Sequence, residues 1–204
     1  TKVLGRVPDR PLLTRPDLID PQDHNGGIII VGSHVNKTTR QMEALRQCRC
    51  PLEFIEFNQH LVLQPGGLAD ETARVSALAD QLIGQGHTVA VYTRRDRFDL
   101  PGGAGPEEQL RVSTEISDAV SAIVSNLTLR PSFLIAKGGI TSSDVGTKAL
   151  RVYRASVMGQ VLPGIPVWKT GQESKFPGLP YIIFPGNVGD DQSLRIIVEG
   201  LMGV

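Results

Sequence analysis

Residues 135–144 read IAKGGITSSD. An apolar run, Phe133 to Ala136, ends on Lys137, then Gly138 and Gly139, then Thr141, Ser142 and Ser143 before Asp144. A glycine pair accepts backbone angles closed to other residues and lets a ligand approach the main chain. If a helix starts just after it, free amides and a partial positive charge suit a phosphate there. Lys137 can add a full charge, although a lysine at a strand end is often only solvated. The same residues also suit a turn without a ligand, with Thr141 or Ser142 capping the helix. On the local pattern both readings stand.

Two further stretches have the same character. In VGSHVNKTT, Gly32 permits a sharp turn after an apolar strand, and Ser33 brings a hydroxyl and an amide to the strand end. The alternative is a plain strand-to-helix turn. In FPGNVGDD, Gly186 and Gly189 open the main chain and Asn187 tolerates a left-handed turn. Asp190 and Asp191 could hold Mg²⁺ through water, or cap the helix predicted after them, which is the favoured reading.

Several other chemistries find no support. The chain has no G-x-x-x-x-G-K-[S/T] phosphate loop and no G-x-G-x-x-G, which argues against a dinucleotide-binding dehydrogenase. It has no G-x-S-x-G, so Ser33 is not read as a nucleophile. PGGAGPEE follows a charged stretch and reads as a surface loop. Cys48 and Cys50 lack the further Cys/His ligands of a structural zinc site, so they are expected as free thiols in a cytoplasmic protein. Trp168 reads as packing, with base stacking as the alternative.

The elements that position these loops follow from periodicity. IIIVG at 28–32 is a buried strand, followed by a helix over about 37–47. A second strand lies at 53–58. A helix then presents Leu68, Val75, Leu78, Leu82 and Ile83 on one face, and HTVAVYT is a third strand. A helix over about 106–127 carries Leu110, Ile116, Val120, Ile123, Val124 and Leu127, and PSFLIAKGG is the fourth strand. Two short strands broken at Pro163-Gly164, one more strand and a closing helix complete the chain. The alternation predicts an α/β fold: a mostly parallel sheet with helices on both faces and a β-rich C-terminal part. In such sheets ligands bind beyond the carboxyl ends of the strands, which selects the three loops above.

The chain has 204 residues, 40 % of them apolar, and 21 basic residues against 21 acidic ones. That suffices for one sizeable domain. The zero balance gives no field for steering to nucleic acid or an acidic membrane, and no run is long enough for a spanning helix. Residues 1–25 begin at Thr1, hold several prolines and show no sustained period. They read as a linker or inter-domain arm ahead of a domain over 26–204, in a piece of a longer or processed protein.

In their order, GGIIIVGSHVNKTTRQMEAL, AKGGITSSDVGTKAL, GQVLPGIPVWKTG and FPGLPYIIFPGNVGDD resemble the C-terminal nucleotide-binding domain of the four-carbon acid sugar kinases. The resemblance runs from about Gly26 to Gly203. It implies an ATP-dependent phosphotransferase acting on 3-oxotetronate, erythronate or threonate, with the acid sugar bound by an N-terminal domain that this chain lacks. By itself the chain would then be inactive. The implied ATP contacts are Ser33, Gly138, Gly139, Ile140, Thr141 and Gly186. Many members carry an acidic residue where this chain has Ile140, so what carries over there is a main-chain contact. Mg²⁺ is the implied metal, with Asp144 and Asp190 as its candidate ligands. Catalysis would be positioning and charge neutralisation. A non-catalytic packing or dimerisation module, and with it a homodimer, is the competing reading.

Overall fold

The computed structural model describes residues 11–96, 98, 100 and 105–204. One seven-stranded sheet organises the chain, in the order β2-β3-β1-β4-β7-β6-β5. Its strands are β1 (Ile28–Val31), β2 (Leu52–Phe57), β3 (Thr88–Thr93), β4 (Leu134–Lys137), β5 (Ala155–Leu162), β6 (Ile165–Thr170) and β7 (Pro180–Phe184). The helices are α1 (Arg15–Leu18), α2 (Asn36–Leu45), α3 (Gly67–Gly84), α4 (Pro106–Asn126), α5 (Gly139–Asp144) and α6 (Ser193–Met202). Strands β2, β3, β1, β4 and β7 run parallel, while β6 lies antiparallel to both β7 and β5. The mostly parallel sheet and the β-rich C-terminal part are therefore as the alternation predicts.

Every side chain of β1 is buried, because helices cover both sides of the sheet. Ile28 and Ile30 meet Val75, Ala79 and Ile83 of α3 and Val120, Ile123 and Val124 of α4. Ile29 and Val31 point the other way, toward Met42 and Leu45 of α2 and Leu194, Ile197 and Val198 of α6. Each fully buried isoleucine contributes about 1.5–3 kcal/mol relative to exposure. At the edge, LEFIEF of β2 keeps the half-buried alternation of a strand with a wet side.

This layering fixes where a crevice can open. After β1 the chain crosses to the α2 face, whereas after the adjacent β4 it turns into α5 beside α4 on the opposite face. After β7 it returns to the α2 face with α6. Neighbouring parallel strands whose chains diverge to opposite faces leave a gap beyond their carboxyl ends.

Several expectations are corrected. Cys48 and Cys50 are joined in a disulfide rather than left as thiols. The turn after α2 brings their Cα atoms to 5.3 Å, inside the range a disulfide spans. The helix after β4 starts at Gly139 with Gly138 before it, and no side chain caps it. Ser142 instead donates its hydroxyl to Ala136 O at 2.8 Å, tying the helix back to its own strand. Leu78 and Leu110 do not join the core: they sit at the solvent side of α3 and α4, with Leu110 68 % exposed. Trp168 on β6 packs against the core.

The described part of the arm is docked. Leu13 N–H donates to Gln160 O on β5, Arg15 reaches Leu201 O, and Leu18 and Ile19 enter the α6-side core. Of the predicted loop PGGAGPEE, residues 101–104 lie outside the described residues, while Pro106, Glu107 and Glu108 form the first turn of α4. Among the described residues no helix is long and apolar enough to cross a membrane.

Candidate functional site

The three glycine loops converge beyond the carboxyl ends of β1, β4 and β7. A methyl group added at Gly186 would lie 3.5 Å from Ser33 Oγ and 4.0 Å from Gly138 Cα. One added at Gly138 would lie 3.1 Å from both Ser33 Cβ and Thr141 Oγ1, and one at Gly32 would run into Thr141 Oγ1. Gly138 adopts φ +125°, open in practice only to glycine. Ser33, Gly138, Thr141 and Gly186 are therefore one cluster. Gly139 has open space around it, and Ile140 is 73 % exposed at the rim.

Beside this cluster lies a cleft of about 600 Å³. Gly32, His34, Val35 and Asn36 from the β1–α2 turn line one side, and Ile140 and Thr141 from α5 line another. The remaining walls were not read from the sequence. They are Gln59, Phe98 and the α4 face carrying Ser113, Ile116, Ser117, Val120 and Ser121. The serines recur every four residues on α4 between its core positions, and that spacing is the signal that a helix face of small polar groups lines a cavity.

The cleft walls are held by buried polar contacts. Gln59 is 1 % exposed; its Nε2 donates to Arg94 O and Asp96 O, both at 3.0 Å, and its Oε1 accepts from Arg94 N–H at 2.9 Å. His34 Nε2 lies 3.1 Å from Arg94 O and 3.3 Å from Thr93 Oγ1. Tyr181 fixes α5 from below, its hydroxyl donating to Ser142 O at 2.5 Å, and burial pushes its pKa up.

Three cations surround the loops without a carboxylate partner among the described residues. Lys137, for which the sequence leaves open an added charge or a solvated strand end, is fully buried. Its ammonium donates to Pro185 O at 2.7 Å and Gly186 O at 3.1 Å, and lies 3.9 Å from the Phe184 ring centre. Burial, with the charge of Lys37 second, lowers its pKa to about 8. Lys37 donates to Asn187 O at 3.2 Å and Gly189 O at 3.0 Å. Arg95 donates to Ser33 O at 2.8 Å and Thr39 Oγ1 at 2.9 Å, and burial lowers its pKa.

The candidate metal ligands are not brought together. Asp144 accepts from Ser117 at 2.7 Å and pairs with Lys148 at 3.2 Å. Asp190 accepts from Ser193 Oγ at 2.8 Å and Gln192 N–H at 3.0 Å, which holds its pKa below the usual carboxylate range; the cap of α6 is Gln192 rather than either aspartate, and no side chain bonds there. Asp191 pairs with Arg40 at 3.0 Å. No group of three His, Cys, Asp or Glu side chains among the described residues could enclose a metal ion.

Residues 28–194 match the model of the nucleotide-binding C-terminal domain family. The chain belongs to that family. Solved structures share the fold of this nucleotide-binding domain. A domain of unknown function (DUF1537) from Bordetella bronchiseptica, crystallised with citrate as a domain-swapped dimer, is 19 % identical with a TM-score of 0.66. The match covers 87 % of this chain and 41 % of that one. A proposed tRNA synthase from Salmonella typhimurium LT2 is 20 % identical with a TM-score of 0.59, over 86 % of this chain and 40 % of that one. The nucleotide-binding domain thus spans about two fifths of the solved chains it matches. No curated protein matches it.

Proposed function

We propose that this chain is the ATP-binding part of a kinase that phosphorylates a four-carbon acid sugar of the 3-oxotetronate, erythronate or threonate type. The observation that carries this reading is the convergence of Ser33, Gly138, Thr141 and Gly186 at the β1/β4 crevice, beside the cleft of about 600 Å³. Main-chain groups of Gly138, Gly139, Ile140 and Gly186, with the hydroxyls of Ser33 and Thr141, would hold the phosphates. The apolar walls at Val35, Phe98, Ile116 and Val120 would take the base. Lys37, Lys137 and Arg95 supply positive potential, which is most of what phosphoryl transfer asks of a protein.

Mg²⁺ would arrive with the nucleotide and neutralise phosphate charge. Asp144 suits a part in holding it, because its partner Ser117 lines the cleft, whereas Asp190 is committed to Ser193. The general base and the acid-sugar site would lie on a further domain of the full-length protein. The test is calorimetric titration with Mg-ATP, then an assay of the full-length protein against a panel of four-carbon acids. Saturable heat with micromolar to millimolar affinity is expected, and no heat at millimolar Mg-ATP in a folded sample would reject the reading.

A second reading, a packing or dimerisation module, is favoured by Ile140, an apolar side chain 73 % exposed at the cleft mouth. Domain-swapped dimers of the Bordetella relative give it a precedent. Loss of turnover in a folded Gly139→Asp full-length protein would exclude it.

A further inference from the structure

The loop at 185–190 is held in an unusual way. Each of its carbonyls accepts from a side chain of β4 or α2. Pro185 O and Gly186 O accept from Lys137, and Asn187 O and Gly189 O from Lys37. Val188 O and Asp190 O accept from Gln41 at 3.2 and 2.7 Å. The Thr38 hydroxyl stands 3.4 Å from Gly186 O. Meanwhile the N–H groups of Gly186, Asn187 and Gly189 make no hydrogen bond among the described residues.

That pattern is asymmetric in a useful direction. A loop whose carbonyls are all bound by donors cannot turn them toward an incoming anion, and its amides are left as the free groups. A run of free amides makes a concavity for anions. The two lysines spend their hydrogen bonds on neutral dipoles, so their full charges remain uncompensated beside the loop. Burying Lys137 without a carboxylate is costly, and that cost is poorly explained by packing alone.

Resting on the nucleotide reading above, we infer that Lys137 and Lys37 are positioning residues that turn the 185–190 loop so that its amides face the anionic end of the ligand. Lys137 acts from inside, through β4, and Lys37 from the solvent side, through α2. Neither needs to touch the phosphate. The charged groups around Lys137 are few: Lys37 on α2 adds repulsion, Arg95 lies on Ser33 O, and Asp190 and Asp191 are taken up by Ser193 and Arg40.

The test uses the full chain and the variants Lys137→Met, Lys37→Met and Lys37→Arg, with Lys169→Met, an exposed residue of β6, as control. Amide chemical shifts of the unliganded proteins read loop position without any nucleotide. We expect the 186–189 amide resonances to move in both Met variants, with those of β1 and β4 unchanged. Titration with Mg-ATP and with adenosine then separates the phosphate end from the base. ATP affinity should fall about tenfold in both Met variants and recover in Lys37→Arg, while adenosine affinity changes less than about twofold.

Unchanged 186–189 amide resonances in a folded Lys37→Met or Lys137→Met protein overturn the inference, as does equal weakening of ATP and adenosine. If Lys137→Met does not fold, Lys37→Met decides alone, since its side chain is only half-buried. If the unaltered chain binds no ATP, the nucleotide reading fails, and the amide resonances still decide whether the lysines set the loop.

Discussion

The two ends of strands β1, β4 and β7 treat charge in opposite ways. At the entry end, Asn25, Arg130 and Gly178 precede the strands, and Asp17, Asp20 and Asp23 stand beside a smaller hollow of about 180 Å³. There Arg130 meets Asp23 at 2.8 Å, an ordinary ion pair. At the exit end, Lys137, Lys37 and Arg95 rest on backbone carbonyls and hydroxyls instead. At the entry end the arginine has a carboxylate partner within the protein. At the exit end the three cations have none among the described residues. The same strands serve both ends, so the difference lies in the residues at their tips and in the segments that follow, Lys137 closing β4 and Lys37 opening α2.

The largest effect should come from filling the exit end. Gly138→Val places a branched side chain at φ +125° against Ser33 and Thr141. A stability loss of about 1–3 kcal/mol is expected by denaturant titration, with ATP affinity reduced at least about a hundredfold by calorimetry. Retained binding would show that the cluster is not where the ligand sits.

A pH series sharpens the contrast. Lys137 loses its proton near pH 8 in the folded chain but near its ordinary 10.5 when unfolded. Between those values the unfolded chain binds more protons, so the stability contribution of this residue rises with pH. Nucleotide affinity should run the other way, falling several-fold from pH 7 to 9.5 as the ammonium charge is lost. Calorimetry at fixed Mg²⁺ checks this, and the inflection should vanish in Lys137→Met.

The entry end should respond weakly. Arg130→Met breaks a half-exposed pair and is expected to cost no more than about 1 kcal/mol, with ATP affinity unchanged. A loss of binding would dissolve the distinction between the ends. Smallest of all, Ile140→Asp at the exposed rim should change stability by less than about 0.5 kcal/mol. It should leave ATP affinity within about threefold, because Gly138 and Gly139 offer main chain rather than side chain. A lost dimer in sizing chromatography would favour the packing module instead.

The sequence carried the strands because apolar runs and alternation report burial directly. IIIV at 28–31, the alternating LEFIEF and the hairpin break at Pro163-Gly164 all became the elements they suggest. It also placed Ser33, Gly138 and Gly186 at strand ends, since glycine after an apolar run marks a turn. It did not show the α4 serines or Gln59 as cleft walls, because polar residues on a helix look alike whether they face water or a cavity. Lys137 stayed open for a related reason: a lysine at a strand end reads as solvated or as part of a site until the carbonyls that hold it are known.

By itself the sequence determined the order of elements, the two-faced sheet and the three glycine loops, because each depends on local pattern and backbone freedom. Only the tertiary structure decided what those loops do to one another. That Lys137 is buried on Pro185 and Gly186, that Ser117 of α4 meets Asp144, and that α4 walls the cleft all depend on contacts between distant segments. Hydrogen bonds and charge are settled by which partner is nearest in space, and that is fixed only when β1, β4 and β7 are laid side by side.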